Sequence, residues 1–260
     1  MQKVSIDKLN NLRSLFKEIR FHMGYSVLDG KLGEAYVNDL ENPSLAFLLV
    51  STYCFINGNV ENEKLKEVMD KYNLTEYTVI PGNNLKKQFY EIYGKDIYKR
   101  NRYSIKKNPK FDFSKLIENI NKLSNEFVLE EIDSFCENKI KKENLLSITK
   151  NYEEDGLGVV CMNNSEIIGI CSSNIVYKDG IEVNIEVKEK FQRRGIALAM
   201  ASKLILMCLE RNKKISWDAY DLNSVALAEK LGFELDSPYE IFFTDEDNVV
   251  VHKATKCRRD

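Results

Sequence analysis

The sequence predicts a mixed α/β (α+β) fold, a twisted mixed sheet flanked by helices, with a divergent α/β lobe ahead of it. Three observations carry that prediction. Apolar, β-branched and aromatic runs alternate with segments of helical periodicity. In the second half a β-meander feeds a strand–loop–helix unit and then a strand–helix–strand unit. A polar break, Lys107-Asn108-Pro109-Lys110, separates that half from the first. With 260 residues, 43% hydrophobic and 30% charged, the chain suffices for one large domain or two modest ones.

Residues 6–23 read as a helix, because Leu9, Leu12, Leu15, Phe16 and Ile19 recur at three- and four-residue steps. Residues 34–38 and 45–56 read as strands, and Asn57-Gly58-Asn59 as a turn. Residues 61–73 form an amphipathic helix with Leu65, Val68, Met69 and Tyr72 on one side. A strand over 76–80 stops at Pro81-Gly82, a helix over 84–93 closes at Gly94, and 98–106 alternates as a strand. A helix over 114–123 follows the polar break, which places a boundary between about residues 108 and 125 and domains at 1–120 and 121–260. Then come a strand at 127–132 and helices at 134–140 and 147–152. Asn163-Asn164-Ser165 joins strands 158–162 and 166–177 as a hairpin, and Asp179-Gly180 turns into a strand over 181–187. A loop over 188–195 leads to a helix over 196–211, a strand at 215–219 and a helix over 222–231 stopped by Gly232. Strands at 239–244 and 249–253 complete the chain.

The charges nearly cancel, 38 basic against 40 acidic residues, so no global field favours nucleic acid and any basic site must be local. The clusters Lys139-Ile140-Lys141-Lys142, Lys213-Lys214 and Arg258-Arg259 read as solvated surface. No apolar run reaches the roughly 18–20 residues of a membrane span; the longest, 44–56, is interrupted by Ser51, Thr52 and Tyr53. The first ten residues hold no apolar signal core. Six cysteines occur without a CxxC pair, mostly inside apolar stretches, which reads as buried thiols in a reducing compartment and as no metal site. A cytoplasmic protein with no nucleic-acid or membrane partner is expected.

The chemistry concentrates in residues 182–197, EVNIEVKEKFQRRGIA. A strand ends at Val187, and Gln192-Arg193-Arg194-Gly195-Ile196-Ala197 opens a long apolar helix. The first turn of a helix offers free backbone N–H groups and a positive dipole end, which together favour an anion. Gly195 has no Cβ to block a close oxygen, Ala197 keeps the next contact small, and Arg193 and Arg194 add charge suited to phosphates. An ordinary loop with two solvated arginines is the competing reading. GxxxxGK[ST] and a GxGxxG after a strand are both absent.

Gln-x-x-Gly-x-Ala, five residues past a strand-ending Val, resembles motif A of the GNAT acetyltransferase superfamily. Ser216-Trp217-Asp218-Ala219 and the stretch NSVALAEKLGF from Asn223 resemble its motif B. The resemblance covers residues 127–260, and the form of these motifs is similar to a bacterial subgroup that includes the zwittermicin A resistance acetyltransferase. It implies acetyl transfer from acetyl-CoA, as co-substrate, to an amine acceptor, with a small molecule favoured. Backbone amides of Arg193, Arg194, Gly195, Ile196 and Ala197 would hold the coenzyme A pyrophosphate, with Gln192 at the lip. The Glu186–Val187 strand end would pair with the pantetheine arm and carry a bulge that splays it from the 215–219 strand. The Val187 N–H would face the thioester carbonyl, and Asn223 with Ser224 would reach the pantetheine or cap the helix. Glu182 or Glu186 could serve as base, or could simply pair with lysines. The position of the family's frequent acid, a Tyr, is Ala228 here. Tyr220 or Ser224 could substitute, directly or through water, no dedicated acid could exist, or the chain could be a silent acyl-CoA sensor. A protein N-acetyltransferase is a further alternative. Trp217 reads as packing, and residues 1–110 as a degenerate GNAT-like lobe without a phosphate loop, with a separate α/β cap as the alternative.

Overall fold

The computed structural model describes residues 1–106, 109–132, 140 and 156–243. The described residues divide into two compact units: Met1–Arg102 with residues 238–243, and those between Tyr103 and Ser237. The chain passes from one to the other inside two strands.

The first unit opens with strand β1 (Gln2–Lys3) and a 3₁₀ segment, Ile6–Leu12. This corrects the expected helix over 6–23: the α-helix α1 covers only Met23–Leu28. Ile6, Leu9 and Leu12 are spaced by three, the 3₁₀ repeat, and Leu9 and Leu12 are buried without an α-helix. Strand β2 (Glu34–Val37) follows as expected. The expected single strand over 45–56 is two, β3 (Leu45–Val50) and β4 (Tyr53–Gly58). They pair antiparallel across Ser51-Thr52, with Ser51 at φ 53°. Helix α2 (Asn62–Lys71) buries Leu65, Val68 and Met69, as its apolar face requires. Strand β5 (Thr78–Pro81), helix α3 (Asn83–Tyr93) and strand β6 (Tyr98–Ile105) complete the order. Phe47 and Ile56 of the sheet meet Leu65 and Met69 of α2 and Leu85 and Phe89 of α3 in one core. Each such side chain contributes on the order of 1.5–3 kcal/mol by leaving water.

The second unit begins with α4 (Phe113–Asn121), whose Asp112 cap accepts from the Lys115 N–H, and β7 (Val128–Glu131). Strands β8 (Gly158–Asn163) and β9 (Glu166–Tyr177) form the expected hairpin, with Asn164 and Ser165 left-handed at φ 46° and 69°. Strand β10 (Gly180–Val187) precedes helix α5 (Ile196–Glu210), which is apolar nearly all round and buried accordingly. The expected strand at 215–219 is broken at Trp217 into β11 (Lys214–Ser216) and β12 (Asp218–Ala219). Helix α6 (Leu222–Leu231) follows, and β13 (Leu235–Phe243) returns to the first unit from Pro238. The expected helices at 134–140 and 147–152 lie outside the described residues apart from Ile140, as does the strand at 249–253.

Both units share a βαβα order but close differently. In the first, β4 and β5 are parallel and paired from Tyr53↔Thr78 to Ile56↔Pro81. In the second, the sheet order is β11-β10-β9-β8-β7, and β11 pairs parallel with β10 only at Gly180↔Lys214, Ile181↔Ile215 and Glu182↔Ser216. After Ser216 the chain leaves β10, and β12 pairs instead with the end of β6 through Asp218↔Ser104 and Ala219↔Tyr103. A Cβ at Gly180 would stand 2.2 Å from the Lys214 carbonyl oxygen, so only glycine admits this approach. Gly180→Ala is expected to push β11 away and lower stability by about 1–3 kcal/mol, measured by urea denaturation; an unchanged midpoint would contradict that packing.

Candidate functional site

The parting of β10 from β11 exposes backbone. The Lys188 N–H donates to the Ile168 carbonyl at 2.9 Å, which makes that pair a hydrogen-bonded rung with β9. In an antiparallel ladder the preceding residue turns its N–H and C=O the other way. Val187, and by the same alternation Ile185, therefore direct their backbone groups to the edge that β11 has left. The expected bulge at Glu186–Val187 is corrected: the register shift lies between Glu182 and Val183, and Asn174 of β9 is the extra residue. A bulge there increases local twist just where the strands separate.

Beyond β10, a 3₁₀ turn (Glu189–Phe191) leads into the loop. Arg193 and Gly195 are left-handed, at φ 61° and 82°, with Arg194 between them of the opposite sign. Alternating handedness of this kind gathers successive N–H groups into an anion-binding concavity. No side chain caps α5, whose N-cap is Gly195 itself. A Cβ added at Gly195 would have no atom within 4 Å, so the backbone faces open space. Ile196 is buried in the core, Ala197 is half-buried, and Gln192, Arg193 and Arg194 are exposed. Gln192 Nε2 donates to the Val187 carbonyl at 3.1 Å, tying the loop to the strand end.

The two arginines differ. Arg194 Nη2 donates to Glu126 Oε1 at 2.7 Å, and its guanidinium lies 4.8 Å from the Phe127 ring centre and 6.0 Å from that of Phe191. Arg193 is exposed beside the cradle. No local spacing links Glu126 to Arg194 in the sequence, so this contact escapes a reading of motifs.

The candidate carboxylates also separate. Glu182 is 2% exposed at the vertex of the parted strands, where its Oε2 lies 2.7 Å from Ser216 Oγ. Glu186 is exposed at the far end of β10. Tyr177 lies near Glu182, and burial first, then that carboxylate, push its hydroxyl pKa far up. Tyr220 is half-buried directly after β12. Asn223 is exposed in the first turn of α6. The cap of α6 is Asp221, whose carboxylate accepts from the Ser224 N–H at 2.8 Å. This corrects the capping role expected of Asn223 and Ser224: Ser224 Oγ instead accepts from Trp217 Nε1 at 3.0 Å. Trp217 is 5% exposed in the core, with the Phe233 ring 5.6 Å away. Among the described residues, no group of three or more His, Cys, Asp or Glu could hold a metal ion, and no helix is long and apolar enough to cross a membrane.

The profile of GNAT acetyltransferases matches residues 13–242. The chain belongs to the GNAT acetyltransferase family. This GNAT acetyltransferase is 24% identical over 262 positions to YdfB of Bacillus subtilis (strain 168), described as an uncharacterized N-acetyltransferase, across 94% of this chain and 98% of that protein. A solved GCN5-related N-acetyltransferase-like protein from Streptococcus suis 89/1591 superposes with TM-score 0.77 at 27% identity, covering 91% of this chain and 98% of that one. A GCN5-related N-acetyltransferase from Kribbella flavida shares the fold, with TM-score 0.59 at 9% identity over 84% and 91% of the two chains. The family match begins at residue 13, so it takes in the first unit, well ahead of the motifs that carry the resemblance in the sequence. In this GNAT acetyltransferase Ala228 is fully buried in the core with Val225, Leu231 and Phe233.

Ser224→Ala strands the buried indole N–H of the single tryptophan and is expected to lower stability by about 1–3 kcal/mol. Unfolding followed by the emission of Trp217 checks this; an unchanged midpoint would mean the indole has another acceptor.

Proposed function

We propose that this GNAT acetyltransferase moves an acetyl group from acetyl-CoA to the amine of a small molecule, by direct attack in a ternary complex. The observation that carries the proposal is the uncapped start of α5, with Gly195 left-handed and open, beside the unpaired edge of β10. A pyrophosphate fits the cradle of N–H groups from Arg193 to Ala197. An amide-bearing arm fits the edge presented by Ile185 and Val187, because it can accept and donate as a strand does. Asn223 and Ser224, at the start of α6, are the proposed contacts on the opposite wall. The form of the Ser216–Ala219 and Asn223–Phe233 motifs supports the zwittermicin A resistance subgroup.

The reaction then distributes as follows. The amine nitrogen attacks the thioester carbon, and the carbonyl oxygen gathers negative charge that the Val187 N–H stabilises. Glu186, directly or through a water, takes the proton the amine loses; its exposure favours it over Glu182, whose burial and bond to Ser216 favour a structural task. The C–S bond breaks, and Tyr220 returns a proton to the departing thiolate. We assign this chemistry to residues 121–260, with 1–120 as a lobe without a phosphate loop. Four of the six cysteines are buried free thiols, Cys54, Cys161, Cys171 and Cys208, which supports a reducing, cytoplasmic setting. A second reading, a silent acyl-CoA sensor, draws support from Ala228, which places no acid at the family's frequent position.

Calorimetry with acetyl-CoA, followed by thiol release over a panel of amines, separates the two readings. Transfer predicts binding and release; binding without release across the panel would favour the sensor. Gly195→Glu is expected to abolish binding by setting bulk and negative charge against the pyrophosphate, and retained affinity would remove the cradle. Glu186→Gln and Tyr220→Phe are expected to lower kcat by roughly 10²–10⁴ with coenzyme affinity unchanged; unaltered turnover would place the acid and base elsewhere.

A further inference from the structure

The two arginines of the loop are adjacent in sequence and alike in charge, yet the fold treats them differently. Arg194 is engaged on three sides, by the Glu126 carboxylate at 2.7 Å and by the Phe127 and Phe191 rings, which themselves meet edge to face at 6.2 Å. Glu126 and Phe127 belong to the turn between α4 and β7, outside both family motifs. Phe191 ends the 3₁₀ turn that opens the loop, so the contact ties both flanks of Gln192 and Arg193 to the turn that precedes β7. A planar guanidinium is suited to this double duty, since it can stack on rings while donating in its own plane. Arg193 is left-handed and exposed.

We infer that Glu126 is a positioning residue for coenzyme binding: it holds Arg194 as a brace that keeps the N–H groups of the loop convergent, and Arg193 alone supplies side-chain charge to the phosphates. This rests on the proposed coenzyme site. It also opposes simple electrostatics. If Arg194 were a phosphate ligand, removing the neighbouring carboxylate would free it and tighten the binding of an anion. If Arg194 is a brace, removing the carboxylate loosens the loop and weakens binding.

Two measurements test it. The first needs no coenzyme: hydrogen exchange of the 188–198 segment in the free protein. Glu126→Gln and Arg194→Gln are each expected to speed exchange there, the double variant no more than either alone, while Arg193→Gln stays at the wild-type rate. Unchanged exchange in Glu126→Gln would overturn the brace. The second is affinity. Glu126→Gln is expected to raise Kd and KM for acetyl-CoA by about two- to five-fold, the range of a half-exposed ion pair, at constant kcat, with Glu126→Asp restoring part of the loss. Tighter or unaltered binding would overturn the proposal. Should exchange respond as expected while Gly195→Glu still binds acetyl-CoA, the brace stands and the coenzyme assignment falls, so the two failures are distinguishable.

Discussion

A strand inside a sheet needs a neighbour on each side, and β10 loses one of its neighbours after Glu182. Backbone N–H and C=O groups without a partner are costly when shielded from water, so such an edge is either solvated or filled by something that hydrogen-bonds like a strand. The rest of the second unit is arranged around this gap. Trp217, buried and bonded to Ser224, anchors the point at which the chain turns away from β10. Instead of continuing along β10, the chain pairs β12 with β6, which leaves the β10 edge open. The extra residue Asn174 in β9 adds twist opposite the vertex. Glu182 and Ser216 join the last paired rung through their side chains.

The first unit shows what the same order looks like without the gap. There β4 and β5 stay paired to Pro81, and three residues separate β4 from α2, with Glu61 at its N-cap. A carboxylate at a helix N-terminus satisfies the dipole that an anion would otherwise meet. In the second unit the corresponding helix starts from a glycine with no side chain to offer, beside two arginines. The net charge of −2 conceals this local polarity, because the basic residues that matter are two among 38.

Much of the fold was legible because it follows from short-range rules. The apolar stripe of α2, the Asn164-Ser165 turn and the loop before α5 each depend on residues within a few positions of one another. The misreadings have equally local causes. Ile6, Leu9 and Leu12 suit a 3₁₀ turn as well as an α-helix, and Ser51-Thr52 turns the chain without the Asn-Gly or Asp-Gly chemistry that announces a hairpin.

The sequence by itself determined the family, most of the order of strands and helices, and the stretch from Val187 to Ala197 on which an anion site could form, since a strand end followed by a small residue at a helix start has the same consequences in any fold. Only the tertiary structure decided that Glu182 is interior while Glu186 is exposed, that Trp217 divides one expected strand into two with different neighbours, and that Arg194 is held by Glu126. The reason is distance along the chain: burial, strand partnership and ion pairing join residues that lie dozens of positions apart, and no local pattern records which of them will meet.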